Sequence, residues 1–124
     1  MIVADRRMRV LIVDDEPRIR ELLDIVCREE GCDTRTAGSV PEALEHWRAW
    51  APELVFLDLM MPGPPGTEFL RMVRGAGDAT PVVIVSGEPR AAWIALANEL
   101  GITAVVEKPF RLTDIVTLIR TAGA

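Results

Sequence analysis

Five short apolar runs, each followed by a stretch with helical spacing, set the tightest limit on how this 124-residue chain can fold. "RVLIV" (9–13), "ELVFLD" (53–58), "PVVIVS" (81–86) and "TAVVEK" (103–108) are continuous enough to be strands buried on both faces, and "CDTRTA" (32–37) is a weaker fifth candidate. Between them, "PRIRELLDIVCREEG" (17–31) places Ile19, Leu22, Leu23 and Val26 on one helical face and stops at Gly31. "SVPEALEHWRAW" (39–50) opens with Ser39 and Glu42 in capping-box spacing, so Ser39 is the expected N-cap. A turn, "MPGPPG" (61–66), leads into "TEFLRMVRG" (67–75). "RAAWIALANEL" (90–100) is the fourth helix, and "LTDIVTLIRTA" (112–122) sets Leu112, Ile115, Val116 and Ile119 at helical spacing. Five βα units without a repeat or an internal linker imply an α/β three-layer sandwich around a parallel sheet.

The length suits one domain, 1–124, with 1–7 as a short leader. Acidic residues outnumber basic ones by 19 to 14, and no basic cluster follows any segment, so direct nucleic-acid binding is not expected. Cys27 and Cys32 lack the spacing of a zinc site and the density of a disulfide scaffold; they read as a helix thiol and a strand thiol in a reducing compartment. No apolar run approaches the roughly 18 residues of a membrane span, and the N-terminus lacks a signal peptide's apolar centre. A cytoplasmic protein without membrane contact is the expectation.

Ligands of open parallel sheets gather at the carboxyl ends of the strands. Here those ends bear Asp14-Asp15-Glu16, Asp58, Ser86-Gly87 and Glu107-Lys108-Pro109. A carboxylate at the end of a buried strand is costly unless paired or metal-bound. Three of them at one edge also repel one another, a conflict that a hard divalent cation removes; magnesium fits because it needs few carboxylates and leaves room for phosphate oxygens. Lys108 adds a positive charge and Ser86 a hydroxyl, both suited to a phosphoryl group. Asp58 is then the candidate nucleophile, forming an acyl phosphate. Singly, these residues have plainer readings: an acidic pair favouring a helix N-terminus, or a serine cap. Four such features at four strand ends point to one site.

The blocks "VLIVDDEP", "FLDLMMPG", "VIVSG" and "EKPF" resemble, in order and spacing, those of the response-regulator receiver domain, the phosphoacceptor of two-component signalling. The resemblance spans nearly the whole chain. It implies strand order 2-1-3-4-5, phosphorylation of Asp58 by a histidine kinase or phosphotransfer protein, and a signalling role with slow self-dephosphorylation in place of enzymatic turnover. It also implies that Asp15 and Asp58 bind Mg2+, that Asp14 acts mainly through a water, and that Met60 offers its backbone carbonyl. Ser86, Gly87 and Lys108 would hold the phosphoryl group, with Lys108 acting on a charge absent from the resting state and the Lys108-Pro109 bond cis.

Two features depart from the family pattern. Val105 stands where the family usually has a switching aromatic, and Pro64 and Pro65 stiffen the loop after Asp58. The resemblance also implies that Met60 and Glu88, two residues after Asp58 and Ser86, flank the path of an attacking water and are candidate modulators of dephosphorylation. No output domain is expected within the 124 residues, so the signal would pass to a partner, or the receiver would serve a longer transcription regulator or hybrid kinase. An Asp-nucleophile phosphatase of the Asp-x-Asp type would need an acid where Met60 stands, and a flavodoxin-like phosphate loop would be repelled by "DDEP". The fourth helix is apolar nearly all round, so part of it should face outward, and Ile94, Val105 and Thr117 are expected to lie together on a docking surface for a partner or a dimer. Trp93 would either join that surface or fold onto its neighbours.

Overall fold

A computed structural model describes residues 7–89, 91 and 93–123. The expected leader, apart from Arg7, lies outside the described residues, as do Arg90 and Ala92 of the expected fourth helix. The elements alternate as β1 (Arg9–Val13), α1 (Pro17–Glu29), β2 (Asp33–Ala37), α2 (Val40–Trp50), β3 (Leu54–Leu57), α3 (Gly66–Gly75), β4 (Val82–Ser86), α4 (Ile94–Leu100), β5 (Ala104–Glu107) and α5 (Leu112–Gly123). The five strands form one parallel sheet in the order β2-β1-β3-β4-β5.

Alternate residues of each strand feed two cores. Leu11, Val13, Val55, Leu57, Val82 and Ile84 pack with α2, α3 and α4. Val10, Ile12, Leu54, Phe56, Val83 and Val85 pack with α1 and α5. The central strands are therefore buried on both faces, which is why they read as unbroken apolar runs. The register aligns Val13 with both Ala37 and Leu57, so Asp14 and Asp58 emerge side by side at the carboxyl edge. Backbone bonds continue the ladder there: Asp14 N–H donates to Ala37 O at 3.0 Å and Asp58 N–H to Val13 O at 2.9 Å.

Local signals place the helix ends. Ser39 Oγ accepts from Glu42 N–H at 3.4 Å, while Glu42 Oε1 accepts from Gly38 N–H at 2.7 Å, one residue earlier than the reciprocal bond of a capping box. Gly31 has φ +85° and lets the chain leave α1. The second strand starts at Asp33, because Cys32 N–H is held by Cys27 O at 3.0 Å; both thiols are buried and free. Desolvation raises the pKa of both, Cys27 most. No helix among the described residues is long and apolar enough to cross a membrane.

The expectation for the fourth helix needs correcting. It starts at Ile94, and its large apolar residues turn inward: Trp93 and Leu96 are buried in the core, and Ile94 packs against the same cluster. Its exposed positions include Ala95, Asn98 and Glu99. Seven helical residues offer too little periodicity to say which face is buried, and the large Trp93 ring follows the usual cost of exposing apolar area.

Candidate functional site

Four strand ends converge on one acidic cleft. Asp14 and Asp58 are buried at 1 % and 4 % exposure, Ser86 is fully buried, and Asp15 is half-buried. Carboxylate oxygens of Asp14, Asp15 and Asp58 all lie within 4.8 Å of one another. The Lys108 ammonium reaches in from the end of β5, 2.9 Å from Asp14 Oδ2, 3.3 Å from Asp58 Oδ2 and 3.5 Å from Glu16 Oε1. Lys108 thus has resting-state partners, in contrast to the expectation that its charge acts on a group not yet present. Buried carboxylates this close demand a counter-charge, and Lys108 supplies one.

A backbone donor reaches the other oxygen of each buried carboxylate. Asp14 Oδ1 accepts from Glu16 N–H at 2.9 Å, and Asp58 Oδ1 accepts from Met60 N–H at 3.1 Å. Ser86 Oγ accepts from Glu88 N–H at 3.0 Å, which leaves its own hydrogen available to the cleft. Lys108 N–H donates to Ser86 O at 2.9 Å, and the Lys108-Pro109 bond is cis. Gly87 is exposed beside Ser86, and the Met60 side chain is 61 % exposed at the cleft's rim.

The charges are unevenly shared. Burial pushes the Asp58 carboxyl up to about 6; the Met60 N–H opposes this, the Asp14 charge adds to it, and Lys108 opposes it again. Burial works against the Lys108 ammonium too, but Asp14 and then Asp58 outweigh it and raise its pKa. The two directions agree once distance is considered, because Lys108 sits closer to Asp14 and gives Asp58 the smaller share.

Three residues that sequence reasoning did not assign complete the frame. Glu16 is the third carboxylate near Lys108. Arg20, one turn into α1, donates from Nη1 to Asp14 O at 2.7 Å. Gly66 lies against the Asp58 backbone, where a Cβ would fall 2.1 Å from Asp58 O. The second glycine of "GPPG" was the available signal for this last contact.

Val105 is half-buried on β5 against the α2–α4 core and shares an open groove of about 460 Å3 with Thr117 of α5, along with Pro109, Phe110 and Leu118. Ile94 does not line that groove, so two of the three expected docking residues share it.

The family model described as "Response regulator receiver domain" matches residues 10–120. The chain belongs to this family. Among curated relatives, it is 39 % identical over 114 residues to the DNA-binding response regulator MtrA of Mycolicibacterium smegmatis, covering 92 % of this chain and 50 % of that protein. It is 37 % identical over 103 residues to the Regulator of RpoS of Escherichia coli, covering 83 % and 31 %. The chain spans about half or less of the length of these relatives. Among solved receivers, that of NtrX from Brucella abortus has a TM-score of 0.83 at 33 % identity, covering 91 % of this chain and 96 % of that one. Vibrio cholerae CheY4 has a TM-score of 0.87 at 24 % identity, covering 94 % and 99 %, and shows likeness of fold.

Proposed function

We propose that this receiver accepts a phosphoryl group on Asp58 in a magnesium-dependent reaction, with a histidine kinase or phosphotransfer protein as donor. The observation behind this reading is the buried Asp58 carboxylate within 4.8 Å of two further carboxylates and 3.3 Å of Lys108. A carboxylate oxygen of Asp58 forms the new bond to phosphorus as the donor's P–N bond breaks, giving an acyl phosphate. Lys108 and the Ser86 hydroxyl, with Gly87 beside it, meet the incoming phosphoryl oxygens.

The donor set suits magnesium: it is all oxygen, and the carboxylates of Asp14, Asp15, Asp58 and Glu16 outnumber the one ammonium among them. Asp15, Asp58 and the Met60 carbonyl would hold the ion directly, with Asp14 acting through water. Magnesium, when bound, neutralises charge on the carboxylates and the transferring group. The Met60 thioether offers no second acid of the kind an Asp-x-Asp phosphatase needs.

Acetyl phosphate with Mg2+ should add the mass of one phosphate to the protein. Unchanged labelling in Asp58→Ala, or in excess chelator, would sink the proposal. The signal would then leave through protein contact, with the β5–α5 groove that Val105 and Thr117 line as the candidate surface. The length relation to MtrA favours a second reading, a receiver serving as the input unit of a longer regulator; the length of the native reading frame decides it.

A further inference from the structure

We infer that Arg20 is a positioning residue for the metal-binding loop, and that Gly38 is small in order to leave room for it. The inference rests on the reading of the acidic cleft as a magnesium site. The loop after β1 is held from two sides. Asp14 N–H donates to Ala37 O at 3.0 Å, and Asp14 O accepts from Arg20 Nη1 at 2.7 Å. That carbonyl belongs to the same peptide plane as the N–H of Asp15. Holding that plane restrains where the Asp15 Cα sits and narrows the directions its side chain can take, so Arg20 helps to orient a carboxylate through the main chain.

The guanidinium has a defined seat. It lies over Gly38, where a Cβ would come within 3.0 Å of Nη1 and 3.6 Å of Cζ. Gly38 itself is held by Glu42, whose Oε1 accepts its N–H at 2.7 Å. The φ of Gly38 lies outside the left-handed region, so glycine serves here for space and not for backbone freedom. One side chain thus ties three segments together: the loop before α1, the first turns of α1, and the approach to α2.

The sign of the effect separates positioning from charge. A guanidinium acting only as a nearby cation would repel Mg2+, and its removal would tighten binding. A positioning guanidinium does the opposite, since loss of a group that orients a metal ligand typically weakens affinity by roughly 10-fold or more.

The test is calorimetric titration of Mg2+ into the whole chain as wild type, Arg20→Met, Arg20→Lys, Gly38→Val and the Arg20→Met/Gly38→Val pair, with denaturant unfolding of each. Arg20→Met should bind roughly 10-fold more weakly, and Arg20→Lys should recover part of the loss. Gly38→Val, which leaves Arg20 present but displaced, should weaken binding in the same direction, and the double variant should be no worse than Arg20→Met alone. Wild-type binding with equal or tighter binding in Arg20→Met would overturn the inference and leave the magnesium reading standing, as would additive losses in the double variant. If Arg20→Met does not fold, unchanged binding in folded Gly38→Val overturns it equally. A wild type that takes up no Mg2+ would overturn the magnesium reading and this inference with it.

Discussion

Gly66 presses on the main chain of Asp58: a Cβ at position 66 would lie 2.1 Å from Asp58 O and 2.9 Å from the Leu59 Cα. Both neighbours are backbone, so neither can rotate away. Gly66→Ala gains up to about 1 kcal/mol of helix propensity but forces the loop that presents Asp58 to move. We expect a net loss of about 1–3 kcal/mol in denaturant unfolding together with slower labelling by acetyl phosphate. Unchanged stability would show that the loop yields cheaply.

The raised pKa of Asp58 makes a prediction about pH. Its neutral form is favoured in the folded chain, so between the ordinary 3.8 and about 6 the native state binds the extra proton. The Asp58 contribution to stability without metal should therefore be greatest at and below about pH 4, fall as pH rises through about 6, and level off above it. The full cost of the shift is roughly 3 kcal/mol. Asp58→Asn should flatten this window and be the more stable protein at pH 7, as followed by urea unfolding in chelator. A wild type no less stable at pH 7 than Asp58→Asn would contradict the shift.

The two acids after β1 should contribute unequally to metal binding. Both carboxylate oxygens of Asp14 already have partners, Glu16 N–H and Lys108 Nζ, whereas Asp15 is the more exposed of the pair. Asp14→Ala should weaken Mg2+ by roughly 10-fold and Asp15→Ala by more. Equal titration curves for the two variants would refute the ranking.

Phosphate lifetime should depend on Met60 more than on Glu88. The Met60 side chain stands 61 % exposed two residues after Asp58, where its bulk can screen phosphorus and where it offers no proton acceptor. A carboxylate at Glu88 could orient water but would face a phosphoryl group of like charge. With Mg2+ present and no phosphatase, Met60→Asn should lose phosphate several-fold faster, and Glu88→Ala should change little. Marked slowing in Glu88→Ala would mean that the glutamate guides the water.

The strand ends were legible because a polar residue closing an unbroken apolar run is a local pattern, and Asp14, Asp58, Ser86 and Lys108 each stand at or beside one. The sheet order came from the resemblance of four blocks, not from periodicity. What stayed hidden depended on a neighbour distant in sequence. The Gly38–Arg20 and Gly66–Asp58 contacts are invisible until the segments are packed. The short α4 is apolar on too many sides for its pattern to say that Trp93 points inward. Glu16 read as part of an acidic run until Lys108, 92 positions later in the chain, was placed beside it.

Asp14 and Lys108 meet at 2.9 Å across 94 positions of chain, and Asp58 joins them from a third strand. No single βα unit holds more than one corner of that triangle. A donor that phosphorylates Asp58 through this cleft is therefore responding to the assembled sheet, and incorporated phosphate counts native molecules. Any variant whose label falls in step with its folded fraction has lost molecules competent to react, while one whose label falls further has lost chemistry.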